Sequence, residues 1–230
     1  MGVGSVSLDH DRAIEEVVIQ RATPPTMDLF LIPNNPENCA LVSINGVAHY
    51  QVSTAKTSHS QRVSKIQRPA ESEEDSIVAE INWGNWDQPT VVRSCPVIRA
   101  KSAVEDGVLA SDFLYKKYQF SSSRYFLGDD RIEYRWKFVK GVGFVLTRGD
   151  TKEQIACYSF ALSKEGLYAG ERKSRLLIQP CSVELDLVVI SFLIMLRKRR
   201  EKTGTNILLC AHDMDPQGDG GGDGGSGAGC

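Results

Sequence analysis

The stretch that most limits what this chain can become is CSVELDLVVISFLIMLRKRREK, residues 181–202. Within it, residues 187–196 are apolar except for Ser191, and a basic run follows at once. Three structures compete for such a stretch. A membrane span needs about 20 apolar residues, and this run stops at ten, with Glu184 and Asp186 on one flank and Arg197 on the other. A surface helix needs a polar stripe at a 3.6-residue period, and the apolar positions 187–190 and 192–196 leave none. A helix apolar all round is buried all round. The third structure is a helix over about 183–202 that plugs the core of a larger β structure.

The preceding sequence supplies the β structure. MDLFLI (27–32) is followed by the turn segment PNNPEN, and CALVSI and VAHYQVST flank Asn45-Gly46. Asn-Gly between apolar-rich runs is a strong hairpin signal, because a type I′ turn needs φ > 0 at both central residues. QRVSKIQR (61–68) alternates polar and apolar, as a strand with one wet face does. Further strands are expected at 77–83, 124–128, 131–139, 143–147, 154–162 and 175–179, with one or two more in 90–99 around Cys95-Pro96. Residues 71–75 read as an acidic loop, and 111–117 as a helical turn capped by Ser111. Ten to twelve short strands separated by turn residues indicate a sandwich or a barrel. About eight strands make a barrel that side chains fill, whereas about twelve leave a lumen. A helix about 10–12 Å across fits such a lumen, and roughly 18 residues run about 27 Å along it. Acids at its start and Arg197, Lys198, Arg199, Arg200 and Lys202 at its end suit the helix dipole.

Charge and cysteine usage narrow the classes. The net charge is −2, but residues 213–230 hold four Asp and no Lys or Arg, so residues 1–212 carry 27 basic against 25 acidic groups. A body that close to neutral is not a general nucleic-acid binder. The six cysteines have no CxxC spacing, there is no Asn-x-Ser/Thr site, and residues 1–26 show no secretory pattern. Together these point to an intracellular, cytoplasmic, reduced protein whose cysteines are expected to be mostly buried small hydrophobes, with a disulfide framework as the alternative. Residues 1–26 are expected to be a flexible or loosely docked arm, 27–212 the folded domain, with 207–211 packing back on it. The Gly/Asp-rich tail, 213–230, is expected to be disordered.

The order of these motifs resembles a fungal family of unknown function grouped with the tubby C-terminal-like barrels. The likeness covers about 27–202 and rests on MDLFLIPNNPENCALVSINGVAHYQV, IVAEINW, SDFLYKKYQFSSSRYFLGDDRIEYRWK and LLIQPCSVELDLVVISFLIMLRKRREK. It implies a mainly β fold, a roughly twelve-stranded closed antiparallel barrel around a central hydrophobic C-terminal helix, as also in phospholipid scramblases. Tubby domains bind phosphoinositides, but their ligand residues do not map onto this chain position by position, and fold analogy is weak evidence for function.

No enzyme signature emerges. The histidines His10, His49, His59 and His212 are scattered, and no Ser, Cys or Lys sits in a nucleophile context. Cys95 is expected to be a buried structural thiol. His212, Asp213 and Asp215 lack the further ligands a metal needs, and Gly141-Val142-Gly143 reads as a turn. Trp83, Trp86 and Trp136 read as core packing. Neither cofactor nor metal is expected. Three readings fit Arg197, Lys198, Arg199, Arg200 and Lys202: charge that solvates a helix end, a docking patch for anionic lipid headgroups, or a nuclear-import signal. The expectation is a non-enzymatic tubby-like binding module for an anionic membrane surface. The alternative is a protein-interaction scaffold with no small ligand.

Overall fold

The computed structural model describes residues 26–57, 61–84, 88–101 and 107–203. The segments 1–25 and 204–230 lie outside the described residues, and with them the expected arm, the 207–211 segment and the Gly/Asp-rich tail. The strands are β1 (Met27–Ile32), β2 (Cys39–Ser43), β3 (Ala48–Lys56), β4 (Arg62–Gln67), β5 (Ile77–Trp83), β6 (Val91–Arg93), β7 (Val108–Leu109), β8 (Arg124–Leu127), β9 (Glu133–Val139), β10 (Gly143–Arg148), β11 (Gln154–Leu162) and β12 (Arg172–Ile178). The helices are α1 (Glu73–Ser76), α2 (Cys95–Lys101), α3 (Ala110–Phe113) and α4 (Leu185–Thr203).

All strands belong to one antiparallel sheet in the order β7-β6-β5-β4-β3-β2-β1-β12-β11-β10-β9-β8. The first strand pairs with the last, Met27 opposite Ile178 and Phe30 opposite Arg175. Every other neighbour pair is a sequential hairpin or meander step. The ladder has two ends, and no strand pairing joins β7 to β8. β7 is only two residues long before the chain turns into α3. Beyond α3, Tyr115 and Tyr125 exchange backbone hydrogen bonds of 2.9 Å each way, which ties the segment to β8.

The sheet curls round α4. Residues 187–196 of this helix are all buried, and the side chains that meet α4 come from well-separated strands. Tyr50 of β3 reaches Asp186, Trp83 of β5 lies under Arg197, and Trp136 of β9 and Tyr158 of β11 pack on Phe192. Each large apolar side chain so buried contributes about 1.5–3 kcal/mol. Ser191 interrupts the apolar run for a reason: its hydroxyl accepts from the Trp136 indole N–H at 2.9 Å and donates to the Val188 carbonyl at 3.0 Å. The unbroken apolar run of β1 also has a reason. Leu29 and Leu31 join the core around α4, while Phe30, on the opposite face, is covered by Tyr168 at 5.2 Å between ring centroids.

Several local expectations are corrected. The Asn45-Gly46 hairpin forms, but not through a type I′ turn. Gly46 has φ 88° while Asn45 is not among the residues of positive φ. Gly46 N–H donates to Ser43 O, and Ser43 N–H to Val47 O. That is the three-residue loop with glycine at its left-handed position. Residues 90–99 give one strand, β6, and then a helix: proline is tolerated in a first helical turn, and Val97 and Ala100 of α2 turn one face into the core. The acidic stretch 71–75 includes the start of α1, capped by the Ser72 hydroxyl, which accepts from Asp75 N–H. The helical turn expected at 111–117 starts one residue earlier, at Ala110, and Ser111 is not its cap.

Candidate functional site

The two ends of α4 differ in chemistry. At the N-terminal end both acids of the helix start have partners. Asp186, 5% exposed, accepts from the Tyr50 hydroxyl at 2.7 Å and from Arg68 at 3.1 Å. Burial, then donation to Asp186, then its negative charge raise the Tyr50 phenol above its ordinary value. Glu184 pairs with Arg99 at 3.0 Å, and its backbone N–H donates to Asp129 at 2.8 Å. This carboxylate at a helix start suits the dipole.

At the C-terminal end the five basic residues divide between two faces. Arg197, 8% exposed, pairs with Glu37 at 3.2 Å and Glu201 at 3.0 Å, and its guanidinium carbon lies 3.8 Å from the Trp83 ring centroid. Arg200 donates to the Asn34 carbonyl at 2.6 Å and to its side-chain oxygen at 3.0 Å. These two arginines fasten the helix to the β1–β2 connection, beside a cleft of about 540 Å³ whose lining includes Glu37 and Glu201. Arg197 is thus paired with acids, whereas Arg200 is held by the neutral Asn34.

Lys198, Arg199 and Lys202 point to the other face. With Met195 they follow i, i+3, i+4, i+7 spacing, which is one side of an α-helix. There they meet β8, β9 and β10 around a cavity of about 50 Å³, completed by Ser122, Arg124, Phe138 and Phe144. Arg199 stacks on Phe138 with its guanidinium carbon 4.4 Å from the ring centroid. The floor is apolar: Phe138 and Phe144 pack edge to face at 5.5 Å. No carboxylate lines this cavity. Among the described residues, no ion pair reaches Arg124, Lys198 or Lys202. Burial, then the Arg124 charge, lower the Lys198 ammonium from its ordinary value; Lys202 and Lys116 act in the same sense and Glu201 opposes them. Burial alone lowers Arg124. Four cations thus surround an apolar-floored hollow.

Arg124 is the member that local sequence reading misses. It lies 74 positions from Lys198, and only the strand order brings it to the helix end. The remaining candidates stay apart. His49 sits half-buried in β3, and His10, His59 and His212 lie outside the described residues, as do Trp86, Asp213 and Asp215. Among the described residues no three His, Cys, Asp or Glu side chains converge as metal ligands. Cys95 is exposed at the start of α2, not buried in a strand, and Cys181 is exposed as well. The expectation of mostly buried thiols holds for Cys39, which burial pushes up to about 12 despite the nearby Arg200 charge. Gly141-Val142-Gly143 is the β9–β10 turn, closed by Val142 N–H on Val139 O. Trp83 and Trp136 are core residues, as expected.

No described helix is long and apolar enough to cross a membrane. A sequence model described as "Family of unknown function (DUF6593)" matches residues 34–201, which include all of the cavity's lining except Lys202. No curated protein and no solved structure matches the chain.

Proposed function

The chain belongs to this family of unknown function, and we propose that it is a non-enzymatic binding module for anionic lipid headgroups at a membrane surface. The observation that carries the reading is the cavity rimmed by Arg124, Lys198, Arg199 and Lys202 with no acid in its lining. Its volume of about 50 Å³, against the roughly 10–15 Å³ that a single water needs on the same measure, leaves room for a group the size of a phosphate. Each basic residue near an anionic bilayer is worth about 1 kcal/mol. Four of them give affinity that salt screens readily. The reading places the module on the cytoplasmic side, where anionic lipids are enriched.

The same proposal takes the architecture to be tubby C-terminal-like, with the curled sheet effectively closed round α4. Its support is twelve strands in one antiparallel order, a helix contacted from both halves of that order, and the Tyr115–Tyr125 bridge beside the seam.

Co-sedimentation of the full chain with phosphatidylcholine vesicles, with and without phosphatidylserine, tests the function at low salt. Binding to the anionic vesicles only is expected. Replacing Lys198 and Lys202 together by Ala should cost about 2 kcal/mol, roughly 30-fold in affinity. Equal sedimentation with neutral and anionic vesicles would remove the lipid reading and leave a protein-interaction scaffold in its place.

A further inference from the structure

The loop that leads into β8 carries two aromatic side chains on its outside. Phe120 is 98% exposed and Tyr118 69%. Scattered exposed apolar residues are ordinary on protein surfaces, but these two occupy a particular place. Ser122 and Arg124, two and four residues beyond Phe120, line the four-cation cavity, and Lys116 at the loop's start acts electrostatically on Lys198.

The loop is held in shape from below. Lys116 Nζ donates to the Gln119 carbonyl at 3.2 Å, and Ser121 N–H to the Tyr118 carbonyl at 3.1 Å. Lys117 is drawn away, pairing with Glu133 at 2.6 Å and lying 5.0 Å from the Tyr125 ring centroid. The reciprocal Tyr115–Tyr125 backbone bonds close the base. A fixed loop thus presents aromatic tips to water, while its polar groups serve the scaffold. On the other flank of the cavity, the β9–β10 turn exposes Val142 at 46%.

We infer that residues 118–120 form a membrane-inserting tip, with Phe120 entering the boundary between headgroups and acyl chains while the adjacent cations hold the headgroup phosphates. The inference rests on the lipid reading above and adds how the bilayer itself, rather than a free phosphate, is recognised. Peripheral binding strength grows with buried apolar area together with attraction to anionic lipid, and tyrosine is at home at the headgroup level. A protein partner could bury the same aromatics, but a cation cluster lined by no acid fits a continuous anionic surface better than a mixed-charge protein face.

The test measures the full chain on phosphatidylcholine vesicles containing phosphatidylserine, and in parallel on soluble glycerophosphoserine. Phe120→Ala is expected to weaken vesicle binding roughly tenfold or more and to leave glycerophosphoserine binding unchanged. Phe120→Trp should restore vesicle binding, and the fluorescence it adds over the parent chain should be quenched by brominated acyl chains. Lys198→Ala should weaken both ligands. Vesicle binding by Phe120→Ala equal to that of the parent, or unquenched added fluorescence on bound protein, would overturn the insertion while the headgroup site stood. Failure of the parent chain to bind anionic vesicles would overturn both and point to a protein partner for the aromatic tip.

Discussion

A lysine held among like charges is a cost to the fold that a ligand can relieve, and Lys198 is placed that way. Its ammonium is lowered from the ordinary value by burial and then by Arg124. The charged form therefore destabilises the folded state below the folded pKa. Stability rises with pH from there up to the unfolded value near 10.4, above which the penalty is absent. Lys198→Met is expected to raise the unfolding temperature, by no more than about 2–4 °C because solvent screens a half-buried charge, while lowering affinity for anionic vesicles. A fall in both would assign Lys198 to packing alone. Ser191 is the opposite case, a polar group the core needs. Ser191→Ala leaves the Trp136 indole N–H without the acceptor it has at 2.9 Å, at an expected cost of about 1–3 kcal/mol, read from the denaturant midpoint. The residue scale is also where the sequence was least legible. The spacing of Met195, Lys198, Arg199 and Lys202 already separates them from Arg197 and Arg200, since helix geometry sets i, i+3, i+4 and i+7 on one side. Arg124 and Phe138 carry no such local signal, because tertiary strand order alone brings them there.

Among the elements, α4 dominates. Leu193, 2% exposed, sits in the middle of its buried run, and Leu193→Asp would place an unpaired charge where nothing can solvate it. The expected result is a chain without cooperative thermal unfolding by circular dichroism; native-like melting would refute the central position of α4. The sheet is expected to be weakest at the β7–β8 seam, where no strand pairing joins the two short end strands and the Tyr115–Tyr125 bridge lies on the open side of β8. Amide exchange at Val108, Leu109 and Arg124–Leu127 should be faster than in β1, β11 and β12, measured by mass spectrometry or NMR. Most elements could be read from sequence because their cue is local. β5 and β11 fall on the expected residues, and α4 is displaced by two residues or fewer. The misses share a cause. At Cys95-Pro96, proline is as acceptable in a first helical turn as in an extended segment, so composition could not choose. In the β2–β3 turn, Asn-Gly fits both the two-residue loop and the three-residue loop that forms.

For the molecule as a whole, polarity runs along the helix axis. One end of α4 closes on the buried Asp186 network, and the other carries cations around a cavity that no carboxylate lines. A chain near electrical neutrality thereby keeps a local field, and binding to anionic vesicles should fall steeply between low and physiological salt as the Debye length shortens to about 8 Å. The order of the elements along the chain has a further consequence. β1 pairs with β12, and α4, whose side chains fill the middle of the sheet, comes after every described strand. During synthesis at about 5–20 residues per second, twelve strands leave the ribosome before the helix that gives them a shared interior exists. The nascent chain must hold its unsatisfied edges apart until α4 emerges, so the sheet is expected to gain its interior only once α4 has left the ribosome.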